Sequence, residues 1–242
     1  MAFFQQPSPI PPRWPIAIRS ETIATAEPET VITVRNSPEP WHLLNYTITA
    51  QNGTTLFTVH GHPWGLAQRR VFRDAAGFSL FELRSRWYDS SILELKPPGA
   101  LTASKPLLSA KCRVAVQSPR VVMRFRNACT PIESRPTQKY RHQPSLSRTG
   151  MPSSSHQEET VMEILALDVD NLVQVALVAN QTVAVFDRVT DPGILAQGQK
   201  PPFRFRPMWT VRVARGVDLA LIAVATVIIG QQVAGEGLAD QR

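Results

Sequence analysis

"GVDLALIAVATVIIGQQ", residues 216–232, is the most apolar stretch of the 242-residue chain. From Leu219 to Ile229 it carries no charge and a single hydroxyl, Thr226. Asp218 stands where a helix N-cap belongs, immediately before the apolar run. Gly230 and the two glutamines after it weaken the far end. As a helix the run spans roughly 16 Å, against about 30 Å for the hydrocarbon core of a bilayer. Extension to Ala234 takes in Gln231 and Gln232 and still falls short, so length argues against a membrane span. Yet at about 100° per residue Leu219, Leu221, Ile222, Val224, Val227, Ile228 and their neighbours cover every face. Such a helix has no side to turn to water. Lipid or protein has to surround it.

The rest of the chain offers protein of a suitable kind. Short runs rich in Val, Ile, Thr, Phe and Leu recur between turn residues, the mark of β-strands. They are 31–35, 46–51, 55–60, 69–74, 78–87, 91–96, 111–117, 120–127, 161–168, 172–179, 182–189 and 203–213. Asn52-Gly53 between two of them predicts a hairpin with a type I′ turn. Ala75-Ala76-Gly77, Ser118-Pro119, Asp170-Asn171 and Asn180-Gln181 punctuate further hairpins. About twelve strands joined mostly by short connections predict up-and-down antiparallel pairing. Closure removes the open edges that would invite aggregation. A barrel of that size leaves a lumen that wall side chains alone do not fill. The expected fold is therefore a mainly β, about twelve-stranded antiparallel closed barrel enclosing a central C-terminal hydrophobic helix. The barrel needs a plug and the helix needs a sleeve.

Two regions fall outside that pattern. The first thirty residues are rich in proline and predict a partly disordered or extended N-terminal segment. Residues 133–159 have almost no large apolar side chains and are rich in Ser, Pro, Arg and Gln. They cannot bury enough surface to offset their ordering entropy, so a disordered insertion is predicted. The expected organisation is an N-terminal extension over 1–30, one barrel domain over 31–234 interrupted at 133–159, and a flexible tail over 235–242.

Composition narrows the function classes. Cys112 and Cys129 are too few for a disulfide scaffold or a cysteine zinc site and read as free thiols. The N-terminus lacks the basic-then-apolar order of a secretory signal, which predicts a cytoplasmic location. The net charge is +7, and 21 of the 26 basic residues are arginine. Arginine is the better partner for bidentate phosphate or carboxylate contacts, although genomic base composition produces the same bias.

The stretch 46–87 resembles the opening half of a LURP-one-related protein, a family of the tubby C-terminal-like superfamily. The likeness rests on Asn52-Gly53, Leu56-Phe57-Thr58-Val59 and Gly61. It continues through Val71, Arg73-Asp74, Gly77, Leu80-Phe81-Glu82-Leu83-Arg84 and the segment "TVRVARGVDLALIAV" (210–224). It covers about residues 40–130 and 160–232, and its motifs are hairpin and core patterns without a catalytic signature. The resemblance implies the twelve-stranded barrel around a central helix that the strand count predicts independently. The insertion and the proline-rich extension depart from the family without touching its motifs. No activity is firmly established for these proteins. Tubby relatives bind phosphoinositides through basic surface residues, and phospholipid scramblases share the fold.

No P-loop, GxSxG elbow, dinucleotide fingerprint or HExxH is present, so neither enzyme chemistry nor a cofactor is expected. His60 and His62 share a strand face but lack a third ligand at suitable spacing, and read as surface histidines beside a turn. The arginines carry more. Residues i and i+2 share a face of a strand, which pairs Arg84 with Arg86, Arg124 with Arg126, and Arg204 with Arg206. Arg69, Arg70 and Arg73 belong to another strand. Paired guanidinium groups clamp phosphate bidentately, while the plain alternative is a solvated outer face of a barrel. Trp87 and Tyr88 beside Arg86 offer an interfacial aromatic anchor or a strand-end packing pair.

The leading expectation is a monomeric, non-enzymatic binding module that docks on phosphoinositides or an anionic membrane surface through these arginines, as a peripheral membrane protein. The alternatives are a nucleic-acid-associated or regulatory protein, a scramblase-like membrane protein, and an adaptor that engages a protein partner through the insertion. Nucleic acid is disfavoured, since neither stacking aromatics nor a helix-turn-helix pattern is present.

Overall fold

The computed structural model describes residues 7–37, 44–62, 69–86, 88–101, 103–113, 120–129, 159–196 and 207–239. Twelve strands appear, ten of them close to the expected runs. In chain order they are β1 (Glu29–Asn36), β2 (Tyr46–Ala50), β3 (Thr55–His62), β4 (Arg69–Asp74), β5 (Ser79–Arg86) and β6 (Asp89–Lys96), then β7 (Leu108–Arg113), β8 (Arg120–Phe125), β9 (Thr160–Ala166), β10 (Val173–Val178), β11 (Gln181–Arg188) and β12 (Met208–Ala214). β7 begins three residues before its expected run and β12 five after the start of its own, and 114–117 and 203–206 of those two runs lie outside the described residues. Each strand pairs antiparallel with its sequence neighbours, and β1 also pairs with β12, which closes the barrel. A short helix α1 (Pro192–Ala196) interrupts the connection before β12. Helix α2 (Leu219–Ala239) follows β12.

The turns differ in detail from the expectation. Both central positions of a type I′ turn need positive φ, and only Gly53 (φ 82°) of the Asn52-Gly53 pair has it. The loop there is longer, with the Ala50 amide donating to Thr54 O and the Gly53 amide to Ala50 O. Paired left-handed residues occur instead at Ala179 (φ 49°) and Asn180 (φ 63°), joining β10 to β11.

Up-and-down pairing sends alternate connections to opposite ends of the barrel. We call the end where β12 finishes and α2 begins the upper end. The connections after the even-numbered strands lie there, and those after the odd-numbered strands lie at the lower end. Every residue from Ala220 to Gly230 is buried. Eleven consecutive buried positions cover the whole circumference of a helix, so no face of this segment meets solvent. Its one hydroxyl is satisfied locally, Thr226 Oγ1 donating to Ile222 O at 2.8 Å. At Gly230 the helix reaches Trp209 and Tyr46, and at Gln231 it reaches Arg70. Those three residues are first or second in β12, β2 and β4, at the lower end. The helix runs on to Ala239, past the boundary at 234 expected from the apolar run. Gly230 is no stop signal, because its missing side chain makes room for Trp209.

The N-terminal segment is fastened across the upper end. Ile16, Ala17 and Ala24 are buried. Ile16 bridges to Val217 and Ile23 to Asp218. A 3-10 turn occupies Ser20–Thr22 between them. On the far side of the segment, the Ala17 amide donates to Asn127 Oδ1 and the Ala128 amide to Ala17 O.

Candidate functional site

Charge is unevenly spread around the barrel. The five contiguous strands β4 to β8 carry ten cations and four acids. The other seven strands carry three of each: Arg35, Arg188 and Arg212 against Glu29, Glu163 and Asp187. One sector of the wall therefore holds the positive excess of the strands.

Register decides which of these side chains share a surface. Arg69, Arg84, Glu94, Ser109 and Arg124 are successive cross-strand partners from β4 to β8, a single row across the outer face. Lys111 stands one step along β7 from Ser109, and Arg113 the next step, directly opposite Arg120 of β8. Like charges directly opposite destabilise a sheet unless something neutralises them. Between Arg69 and Arg84 that is Glu82, whose carboxylate accepts hydrogen bonds from both guanidinium groups and, at 3.2 Å, from the Gly99 amide. Glu82 is only 2% exposed. Burial alone raises its pKa, but the bonds from Arg84, Gly99 and Arg69 outweigh it and bring the carboxyl below its ordinary range.

Glu94 repeats the arrangement. Arg86 Nε donates to it at 2.6 Å and Lys96 Nζ lies 3.3 Å away. Burial again opposes, and the two cations prevail, so this carboxyl too is held low. Arg86 also donates to the Tyr88 hydroxyl at 3.0 Å, its guanidinium 5.7 Å from the ring centre. Arg120 pairs with Glu163, and Arg124 Nη1 lies 3.9 Å from Glu159. The carboxylates act as props. Glu82 and Glu94 are each shared by two cations and fix their heads, while Arg69, Arg84 and Arg86 keep part of their side chains in solvent.

The structure thus brings Arg69, Arg84, Arg86 and Arg124 onto one face. Arg73 is exposed at the upper end of β4, and Arg126 is exposed just beyond β8. Arg70 is a correction to the expected set. Strand side chains alternate, so Arg70 points inward where Arg69 points out. It is fully buried, its Nη1 donating to Gln231 Oε1 at 2.9 Å. Burial pushes its pKa down, partly offset by Tyr46. It takes no part in an outer face. Arg204, Arg206, Trp87 and residues 133–158 of the expected insertion lie outside the described residues. Lys111, Arg113 and Arg120 were missing from the sequence-derived set. The i, i+2 spacing of Lys111 and Arg113 is the same signal that identified Arg84 and Arg86.

The thiols are free. Burial pushes Cys112 up to about 11, and the Gln232 side chain pulls weakly the other way. Among the described residues no three side chains are grouped to hold a metal ion, and no helix is long and apolar enough to cross a membrane.

Among curated proteins none matches this chain. Among solved structures, the barrel is similar to an X-ray structure of an Arabidopsis thaliana protein. Identity is 17% and the TM-score 0.51, over 89% of this chain and 97% of that one. At that identity the likeness speaks for the fold. The model of the LURP-one-related family matches residues 30–185, from β1 into β11. With well over half its length matched and a barrel of the same kind in a solved structure, the chain belongs to the LURP-one-related family.

Proposed function

We propose that the protein is a non-enzymatic binding module, a rigid barrel packed around α2 that docks on anionic phospholipid, phosphoinositides included, through the outer face of β4 to β8. The family is not a known enzyme family. The observation that carries the reading is the charge distribution: nine cations besides the buried Arg70, against four acids, on five adjoining strands, and balance on the other seven. A concentrated cationic face attracts an anionic surface over about a Debye length, with a gain of roughly 1 kcal/mol per cation near the lipid. Propped guanidinium groups lose little freedom on meeting a phosphate, so more of the contact energy is realised as binding. Arg113 and Arg120 stand directly opposite each other, and Glu163 pairs with Arg120 alone, so this pair is best placed to take a phosphate.

Vesicle sedimentation tests this. The full chain is expected to bind phosphatidylcholine vesicles only when phosphatidylserine or a phosphoinositide is included, and to release as salt rises. Arg113→Glu with Arg120→Glu should cut the bound fraction several-fold. Negligible binding to anionic vesicles at low salt would overturn the reading.

A further inference from the structure

Three of the largest exposed apolar or aromatic side chains lie on the sector that carries the cations. Phe78 (71% exposed) is in the β4–β5 turn, Leu101 (78%) in the β6–β7 connection and Tyr88 (63%) in the β5–β6 turn. The first two stand at the upper end and the third at the lower end. At about 3.3 Å per residue an eight-residue strand separates them by roughly 25 Å. They bracket the Arg69–Arg84–Glu94–Ser109–Arg124 row rather than lying elsewhere on the barrel.

These tips are held in place. The Phe78 amide donates to Asp74 Oδ1 at 2.8 Å, and the Gly77 amide to Asp74 O at 3.0 Å. Gly77, at φ 88°, permits the tight turn. Leu101 O accepts from the Ser104 amide at 3.0 Å, and the same connection is tied to the wall by the bond from Gly99 to Glu82. Tyr88 is fixed through Arg86. Phe78 and Leu101 keep large apolar side chains in water and forgo their burial, while Tyr88 keeps its contact with Arg86 and most of its ring exposed.

We propose that the β4–β8 face lies flat on an anionic bilayer, with Phe78 and Leu101 at one end and Tyr88 at the other entering the headgroup region. This rests on the anionic-lipid reading above and adds an orientation to it. Spacing favours a bilayer over a protein partner. Protein interfaces concentrate their energy in a clustered, fully desolvated centre. Here the centre of the face is charged and the apolar groups stand at its margins, far apart. A fluid lipid surface accepts separate insertions around a phosphate-rich middle, and interfacial binding grows with apolar area plus cationic attraction.

The experiment uses the full chain and vesicles of phosphatidylcholine with about one-fifth phosphatidylserine. Phe78→Ser with Leu101→Ser should lower partitioning roughly tenfold while far-ultraviolet circular dichroism stays that of the parent. Tyr88→Ser should act in the same direction. Phe78→Trp, a stronger interfacial anchor, should raise partitioning. If the parent binds and responds to salt, but all three tip variants bind like it, the orientation is wrong and the electrostatic docking stands. If the parent binds neither these vesicles nor vesicles in which a phosphoinositide replaces the phosphatidylserine, both proposals fall.

Discussion

Gly230 shows how much one missing methyl group decides. A Cβ built there would lie 2.9 Å from Trp209 Cη2 and 3.1 Å from the Tyr46 hydroxyl oxygen. In an exposed helix alanine is better than glycine by about 1 kcal/mol. In this position overpacking against a buried indole costs about 1–3 kcal/mol, so the sign reverses. Gly230→Ala is expected to lower the melting temperature, and Trp209→Phe to cost less in that background than alone. A Gly230→Ala protein that melts higher than the parent would contradict the packing. In the sequence this glycine reads as a weak helix end, because its partners lie 21 and 184 residues away. Arg69 and Arg70 make the same point. They are adjacent in the chain and opposite in fate, one in the outer cationic row and one buried against Gln231. Alternation says that they differ but not which is outside, and only the register of β4 against β5 settles that.

Among the elements, the start of α2 joins parts of the chain that the sequence keeps apart. Asp218 caps its own helix through the Ala220 amide at 2.8 Å. The same carboxylate accepts from the Ile18 and Arg19 amides at 3.0 Å each and from the Thr22 hydroxyl. Burial pushes its pKa up, and these four donors pull against that rise. Asp218→Ala would strand three backbone amides and loosen the N-terminal segment. The expected loss is about 2–4 kcal/mol in urea denaturation, with part recovered in Asp218→Asn, which keeps one acceptor. A loss below about 0.5 kcal/mol would show that the segment is not held by this residue. The cap itself was legible, since an aspartate precedes an apolar run. Its role as a fastening for residues 16–24 was not, because a proline-rich stretch carries no periodicity that points to a distant partner. Strands are the opposite case. Alternation and turn residues mark all twelve locally, ten of them within two residues of their observed bounds and β7 and β12 within five.

For the whole molecule, closure and charge follow different rules of legibility. Closure was readable because twelve hairpin-linked strands and a helix without a polar face each solve the other's problem. The concentration of charge was not, because it depends on which strands adjoin and which side chains face out. Helix α2 and the inward side chains of the strands form a single core cluster, with α2 filling the barrel. Each fully buried Leu, Ile or Val contributes about 1.5–3 kcal/mol, and Ile222 and Val224 have no exposed surface at all. A lysine at position 222 would place an unpaired charge among them and add overpacking, at a combined cost comparable with the marginal stability of a domain. The direct test is thermal unfolding of Ile222→Lys followed by circular dichroism. The prediction is a protein that fails to fold, recovered as aggregate or without a cooperative transition. A soluble Ile222→Lys protein with a parent-like cooperative melt would place the helix outside the barrel and contradict the claim.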